Sequence, residues 1–112
     1  NNGNLSRDFT YIDDIVDGVV NTLIKDSKND NLYKLYNIGN GRPVQLLDFI
    51  ASLEKVLDIS AIKNMMPMQA GDVHQTFANT TSLARDYNYK PQITVDKGIK
   101  EFVSWYKCFY KG

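Results

Sequence analysis

Strand-like and helical periodicities alternate along this chain, and that alternation restricts its fold more than any other feature. Phe9 and Tyr11 alternate among β-formers, so 7–12 reads as a short strand. Ile15, Val16, Val19, Val20, Leu23 and Ile24 then recur at helical spacing, predicting a helix over 14–26. Asp14 is its expected N-cap, and Asp17 adds favourable charge near the N-terminus. Gly18 inside that helix costs about 1 kcal/mol relative to alanine, so close packing against its backbone is expected. Residues 26–31 read as a solvated turn, and 33–38 as a second strand ending in a Gly39-Asn40-Gly41-Arg42-Pro43 loop. Leu46, Phe49, Ile50, Leu53, Val56 and Leu57 predict a helix over 45–57, and 61–66 a third strand. Residues 67–71 break that strand, and 75–78 form a brief extended segment. Thr80 or Thr81 caps a short helix through Tyr87. Thr94 caps the last helix, 95–110, with Val95, Ile99, Phe102, Val103, Tyr106 and Phe109 on its buried side. The order β, α, β, α, β, α, α predicts a small mixed α/β unit whose strands lie parallel or nearly so.

Nothing divides the chain, so 1–112 is read as one segment with a single core. Thirteen basic and thirteen acidic residues cancel, which removes the electrostatic case for nucleic acid or an anionic membrane. The single cysteine, Cys108, cannot form an internal disulfide. No apolar run approaches the roughly 20 residues that span a bilayer, and no signal-peptide pattern opens the chain. A cytoplasmic protein is the expectation. The chain begins Asn1-Asn2-Gly3-Asn4 without methionine, which reads either as a processed, truncated or partial chain or as a trimmed chain that holds a complete domain.

Catalytic equipment is sparse. His74 is the only histidine, which excludes a histidine-based metal cluster, and a surface role is expected for it. Cys108 lies among aromatics in the last helix, where packing is expected rather than nucleophilic attack. Gly39 and Gly41 lack the third glycine of a dinucleotide turn and the lysine of a P-loop, so they read as turn residues. Asp13, Asp14 and Asp17 are better explained by a helix start than by a metal cluster. Asp72 follows Gly71 in a loop, where it is either a turn former or an acceptor for a pair of sugar hydroxyls. Arg7, next to Asp8, is either half of a surface ion pair or an anion clamp with a planar fork. Trp105, Tyr106, Phe109 and Tyr110 cluster as core, or as a surface that another domain covers.

Four segments taken together change these odds: Arg7-Asp8-Phe9-Thr10-Tyr11-Ile12-Asp13-Asp14-Ile15-Val16-Asp17-Gly18; Tyr36-Asn37-Ile38-Gly39; Met65-Met66-Pro67-Met68-Gln69-Ala70-Gly71-Asp72-Val73; and Ala78-Asn79-Thr80-Thr81 with Tyr89-Lys90-Pro91. In this order they resemble the C-terminal portion of extended short-chain dehydrogenase/reductase enzymes, and most of all the NAD-dependent UDP-glucuronate 4-epimerases. The resemblance implies that Arg7 contacts the substrate diphosphate and that Asp72 holds the ribose hydroxyls. Gln69 stands where the related galactose epimerases carry a second phosphate-binding arginine, which points to the uronate branch. Asn79 stands where the family usually has aspartate, and Asp14 matches a structural helix cap. The family's glycine-rich NAD turn and its Tyr-x-x-x-Lys pair are missing, since no tyrosine here has lysine four residues on. The resemblance therefore implies a segment that grips substrate and has no catalytic residue of its own. The intact enzyme would use NAD, bind a UDP-sugar, contain an N-terminal domain and form a homodimer. Within the same superfamily, a nucleotide-sugar dehydratase, decarboxylase or reductase is the alternative. A non-catalytic sugar-nucleotide-binding module is a third reading.

Overall fold

The computed structural model describes residues 1–26 and 33–111. Two short strands and four helices follow in the order β1 (Ser6–Arg7), α1 (Ile12–Ile24), β2 (Val44–Gln45), α2 (Leu46–Leu57), α3 (Thr81–Tyr87) and α4 (Val95–Phe109). All four helices lie within two residues of their predicted bounds, because their apolar spacing is a local property. The strands depart from expectation. β1 and β2 pair antiparallel, with Ser6 opposite Gln45 and Arg7 opposite Val44. Only one parallel bridge occurs among the described residues, between Ser6 and Gln75. Residues 33–38 and 61–66 carry no strand pairing. A strand exists only when a neighbour accepts and donates its backbone bonds, which periodicity alone does not supply. The turn expected at 26–31 lies almost wholly outside the described residues.

Helix ends follow ordinary capping chemistry at one place and depart from it at another. At α4 the Thr94 hydroxyl accepts from the Lys97 N–H at 3.3 Å, as the sequence predicts. Asp14 does not cap α1. That helix begins two residues earlier, after Tyr11, and Asp14 is buried in its first turn. Its two carboxylate oxygens accept the Gln92 and Ile93 N–H groups at 2.9 and 3.0 Å. The aspartate thus fastens α1 to the segment that leads into α4. Gly18 behaves as expected: a Cβ there would lie 3.1 Å from Ile38 and 3.2 Å from Tyr89.

The core is small. Leu83, Tyr89, Ile99 and Val103 are its buried apolar residues. Phe9 stacks on Phe49 of α2 with centroids 4.0 Å apart. The aromatics assigned to the buried side of α4 are instead outside, with Phe102 at 49%, Tyr106 at 47% and Phe109 at 68% exposure. Cys108, expected in packing, is exposed as well. Trp105 and Phe109 stack on one another at 5.4 Å, and Tyr106 lies 4.8 Å from Tyr110. The apolar face of α1 is also open at Val16, Val19, Val20, Leu23 and Ile24. Periodicity marks an apolar face but says nothing of whether anything covers it. The radius of gyration, 17.0 Å, fits this open arrangement, since a compact domain of similar length has about 13 Å.

One buried acid ties two distant segments. Asp86 of α3 accepts from Lys34 Nζ at 2.6 Å, from the Tyr36 hydroxyl at 2.7 Å and from Arg85 Nε at 2.8 Å. The Arg85 bond first, then those of Lys34 and Tyr36, hold its carboxyl well below the usual carboxylate range. A depressed folded value stabilises the fold above the unfolded value, near 3.8, and that stabilisation is lost as pH falls below it. Asp86→Asn is therefore expected to flatten the acid limb of a stability-versus-pH curve below about pH 4. Denaturant midpoints taken across that range check it, and an acid limb of unchanged steepness would count against the assignment.

Candidate functional site

The site is built on β1 and on the loop that runs beside it. Successive side chains of an extended segment point to opposite faces. Arg7 therefore projects to one side and Asp8 to the other. On the first side, Arg7 Nη2 donates to Asp72 Oδ1 at 2.6 Å, and Nη1 donates to the Ser6 carbonyl at 2.9 Å. The ion pair expected with neighbouring Asp8 is not formed, because Asp8 faces away. Arg7 and Asp72, 65 residues apart in the chain, are brought together.

Asp72 owes its place to a tight turn. Its N–H donates to the Gln69 carbonyl at 3.2 Å, and Gly71 takes φ +85°, a conformation that glycine adopts without strain. The Val73 N–H donates back to Asp72 Oδ1 at 2.8 Å. Both sequence readings of Asp72 are thus compatible in one residue: it forms the turn and still presents carboxylate oxygen. Gln69, exposed on the same turn, lines with Asp72 a groove of roughly 690 Å³. The groove lining includes the apolar residues Leu5, Leu46, Ile50 and Met66. All three predicted residues therefore lie around one turn and its neighbouring strand.

The loop is held against β1 by backbone bonds. Ser6 N–H donates to the His74 carbonyl at 2.9 Å, and Thr76 N–H donates to the Ser6 carbonyl at 3.2 Å. His74 itself is exposed, and its Nδ1 lies 2.8 Å from Asn1 Nδ2. On the far side of β1, Asp8 Oδ2 accepts the N–H groups of Gly41 and Ala78 at 2.9 and 3.0 Å. Its N–H donates to Thr76 Oγ1 at 3.0 Å. Its other carboxylate oxygen, Oδ1, is buried without a hydrogen-bond partner among the described residues. Sequence reasoning missed Asp8, since nothing local distinguishes it from a surface acid beside an arginine. Gly39 sits in the same knot, where a Cβ would come within 2.5 Å of Ala78 Cβ. Tyr89 closes the knot by donating its hydroxyl to the Gly39 carbonyl at 2.8 Å. Burial first, then the charges of Asp14 and Asp8, push its phenol up to about 12, so it remains a donor at neutral pH.

These contacts also answer what the Gly39–Gly41 turn can hold. The Gly41 N–H is already spent on a carboxylate, and that carboxylate would repel a pyrophosphate. The turn also leads into β2 rather than directly into a helix N-terminus. The Gly39–Gly41 turn therefore does not offer a cradle for the pyrophosphate of NAD. Among the described residues no three His, Cys, Asp or Glu side chains converge on a metal position. No helix among them is long and apolar enough to cross a membrane. Asn79 caps α3 from outside, its Oδ1 accepting the Thr81 N–H at 3.1 Å, so amide oxygen does here what a carboxylate would.

No family model matches the chain. Among curated proteins it is 41% identical to Protein CapI of Staphylococcus aureus, over 99% of this chain and 37% of that protein. It is 38% identical to the probable UDP-glucuronate 4-epimerase of Rhizobium meliloti, over 97% of this chain and 36% of that protein. Among solved structures it matches the UDP-glucuronic acid 4-epimerase of Bacillus cereus in complex with UDP-glucuronic acid and NAD. There the TM-score is 0.87 and the identity 32%, covering 98% of this chain and 34% of that one. The UDP-glucose 4-epimerase of Thermotoga maritima, 20% identical with a TM-score of 0.84, shares the fold. The chain thus spans little more than a third of the curated relatives named here, 37% and 36% of their lengths.

Proposed function

We propose that this chain is the substrate-gripping segment, 1–112, of an NAD-dependent epimerase that inverts C4 of a UDP-sugar, with UDP-glucuronate as the first candidate. The observation that carries the reading is the meeting of Arg7 and Asp72 at 2.6 Å beside an open groove. A guanidinium that spends one N–H on a carbonyl and one on a carboxylate retains further donors for diphosphate oxygens. Asp72, with its side chain 40% exposed, retains acceptor capacity for the two hydroxyls of a ribose. A nucleoside diphosphate presents both chemistries at once. Gln69 on the same turn offers an amide where a second charge is not required, which suits the uronate branch. The likeness to epimerases over nearly the whole chain supports the same assignment.

Hydride chemistry belongs to the intact protein, with NAD held outside this segment. The reading has the N-terminal domain packing against this segment, a homodimer formed by helices elsewhere in the protein, and a cytoplasmic setting. What these residues contribute is hold and orientation: Arg7 on the phosphates and Asp72 on the ribose fix one end of the substrate. A fixed nucleotide end leaves the sugar as the part that moves, as inversion at C4 requires.

Incubating the full-length protein with UDP-glucuronate and NAD is expected to yield the C4 epimer at unchanged mass. Mass spectrometry after chromatographic separation distinguishes the alternatives, because a dehydratase product loses water and a decarboxylase product loses carbon dioxide. Unaltered substrate, with UDP still bound by calorimetry, would favour a non-catalytic binding module instead.

A further inference from the structure

We infer that Asp8 is a positioning residue that sets where Asp72 stands relative to Arg7. This rests on the reading of Arg7 and Asp72 as the nucleotide-sugar grip. Arg7 is carried by β1 itself, and pairing with β2 holds that strand whatever the loop does. Asp72 belongs to the loop, whose register against β1 must be fixed separately. Ser6 supplies two of the fastenings, to His74 and Thr76. Asp8 supplies two more, its N–H to Thr76 Oγ1 and its Oδ2 from the Ala78 N–H. The same Oδ2 also takes the Gly41 N–H, so one oxygen ties two separate stretches of backbone to β1's continuation.

Two further features point the same way. Bonds from backbone N–H to a carboxylate are charge-assisted and about twice as strong as neutral ones. Leaving Oδ1 buried and unpartnered among the described residues is unfavourable, and the charge-assisted bonds at Oδ2 offset that cost better than a neutral side chain would. The knot has no slack, since a Cβ on Gly39 would meet Ala78 and Asp8 Oδ2 at 2.5 and 2.9 Å. Loosening Asp8 therefore releases the C-terminal end of the loop, and the carboxylate of Asp72 drifts from the position in which it shares a ligand with Arg7.

The test is a double-mutant cycle on the Kd for UDP, measured by calorimetry on full-length protein at a temperature where every variant is folded. Asp8→Ala is expected to weaken UDP binding about tenfold when Asp72 is present. In an Asp72→Ala background the same change is expected to add less than about twofold, because the residue it positions is gone. Asp8→Asn keeps one oxygen for the two amides but loses the charge, so an intermediate weakening of about threefold is expected. It carries the same cycle should Asp8→Ala fail to fold. Equal effects of the Asp8 change with and without Asp72, or no effect at all while Asp72→Ala weakens binding, would overturn the role of Asp8 alone. A wild-type protein that does not bind UDP, or one indifferent to Asp72→Ala, would overturn the functional reading and this inference with it.

Discussion

Replacing Arg7 by alanine in the full-length protein is expected to weaken UDP binding about 10- to 150-fold while leaving stability almost unchanged. The binding effect follows from the chemistry of the lost contact. A hydrogen bond to a charged group contributes about 1.5–3 kcal/mol, and each 1.36 kcal/mol is tenfold in affinity. The stability effect is small because the Arg7 and Asp72 side chains are 23% and 40% exposed. Ion pairs of that exposure contribute less than about 1 kcal/mol to folding. The two readouts therefore separate a ligand contact from a structural one. Arg7→Lys refines the point. Lysine keeps the charge but not the planar fork, so it is expected to recover only part of the affinity. Rising salt should weaken the wild type more than Arg7→Ala, since the variant has already lost the screened term. Calorimetry at two ionic strengths measures both. An affinity for UDP that is the same in wild type and Arg7→Ala would remove Arg7 from the site.

Much of this arrangement was legible in the sequence, and the portions that were not share a physical reason. The helices were legible because a 3.6-residue period is a property of neighbours in the chain. Thr94 was legible for the same reason, since a cap reaches only three residues ahead. The strands at 33–38 and 61–66 were misjudged because strand identity depends on a partner, and the described residues offer them none. The aromatic face of α4 was wrongly expected to be buried because amphipathicity marks a face without saying what lies against it. Arg7, Gln69 and Asp72 were singled out through resemblance, and the structure gathers them about one turn and one strand. Asp8 and Asp86 were invisible, because each acts on segments far from it in the chain. Asp14 is the instructive case: its position near a helix start was read correctly, but its bonds go to residues 92 and 93.

That reassignment makes a sharp prediction. A helix cap replaced by alanine costs about 1 kcal/mol, because water can serve the exposed first-turn amides instead. A buried carboxylate that satisfies two amides is different. Asp14 is 1% exposed, so water cannot take its place without opening the packing of α1 against the 91–93 segment. Asp14→Ala leaves the Gln92 and Ile93 N–H groups unpaired, at about 1–3 kcal/mol each. A loss of about 2–5 kcal/mol is therefore expected for the whole change, well beyond the cost of a lost cap. Asp14→Asn should recover little of it. The amide has one oxygen for two donors, and its own N–H₂ is turned toward the second donor rather than toward an acceptor. Urea denaturation of the two variants measures this directly, with the midpoint falling and the slope unchanged. A loss near 1 kcal/mol for alanine, with asparagine restoring the wild type, would return Asp14 to the role of an ordinary cap. If the larger loss is found instead, Asp14 is the joint that fixes α1 against the segment leading into α4, through a single buried acid.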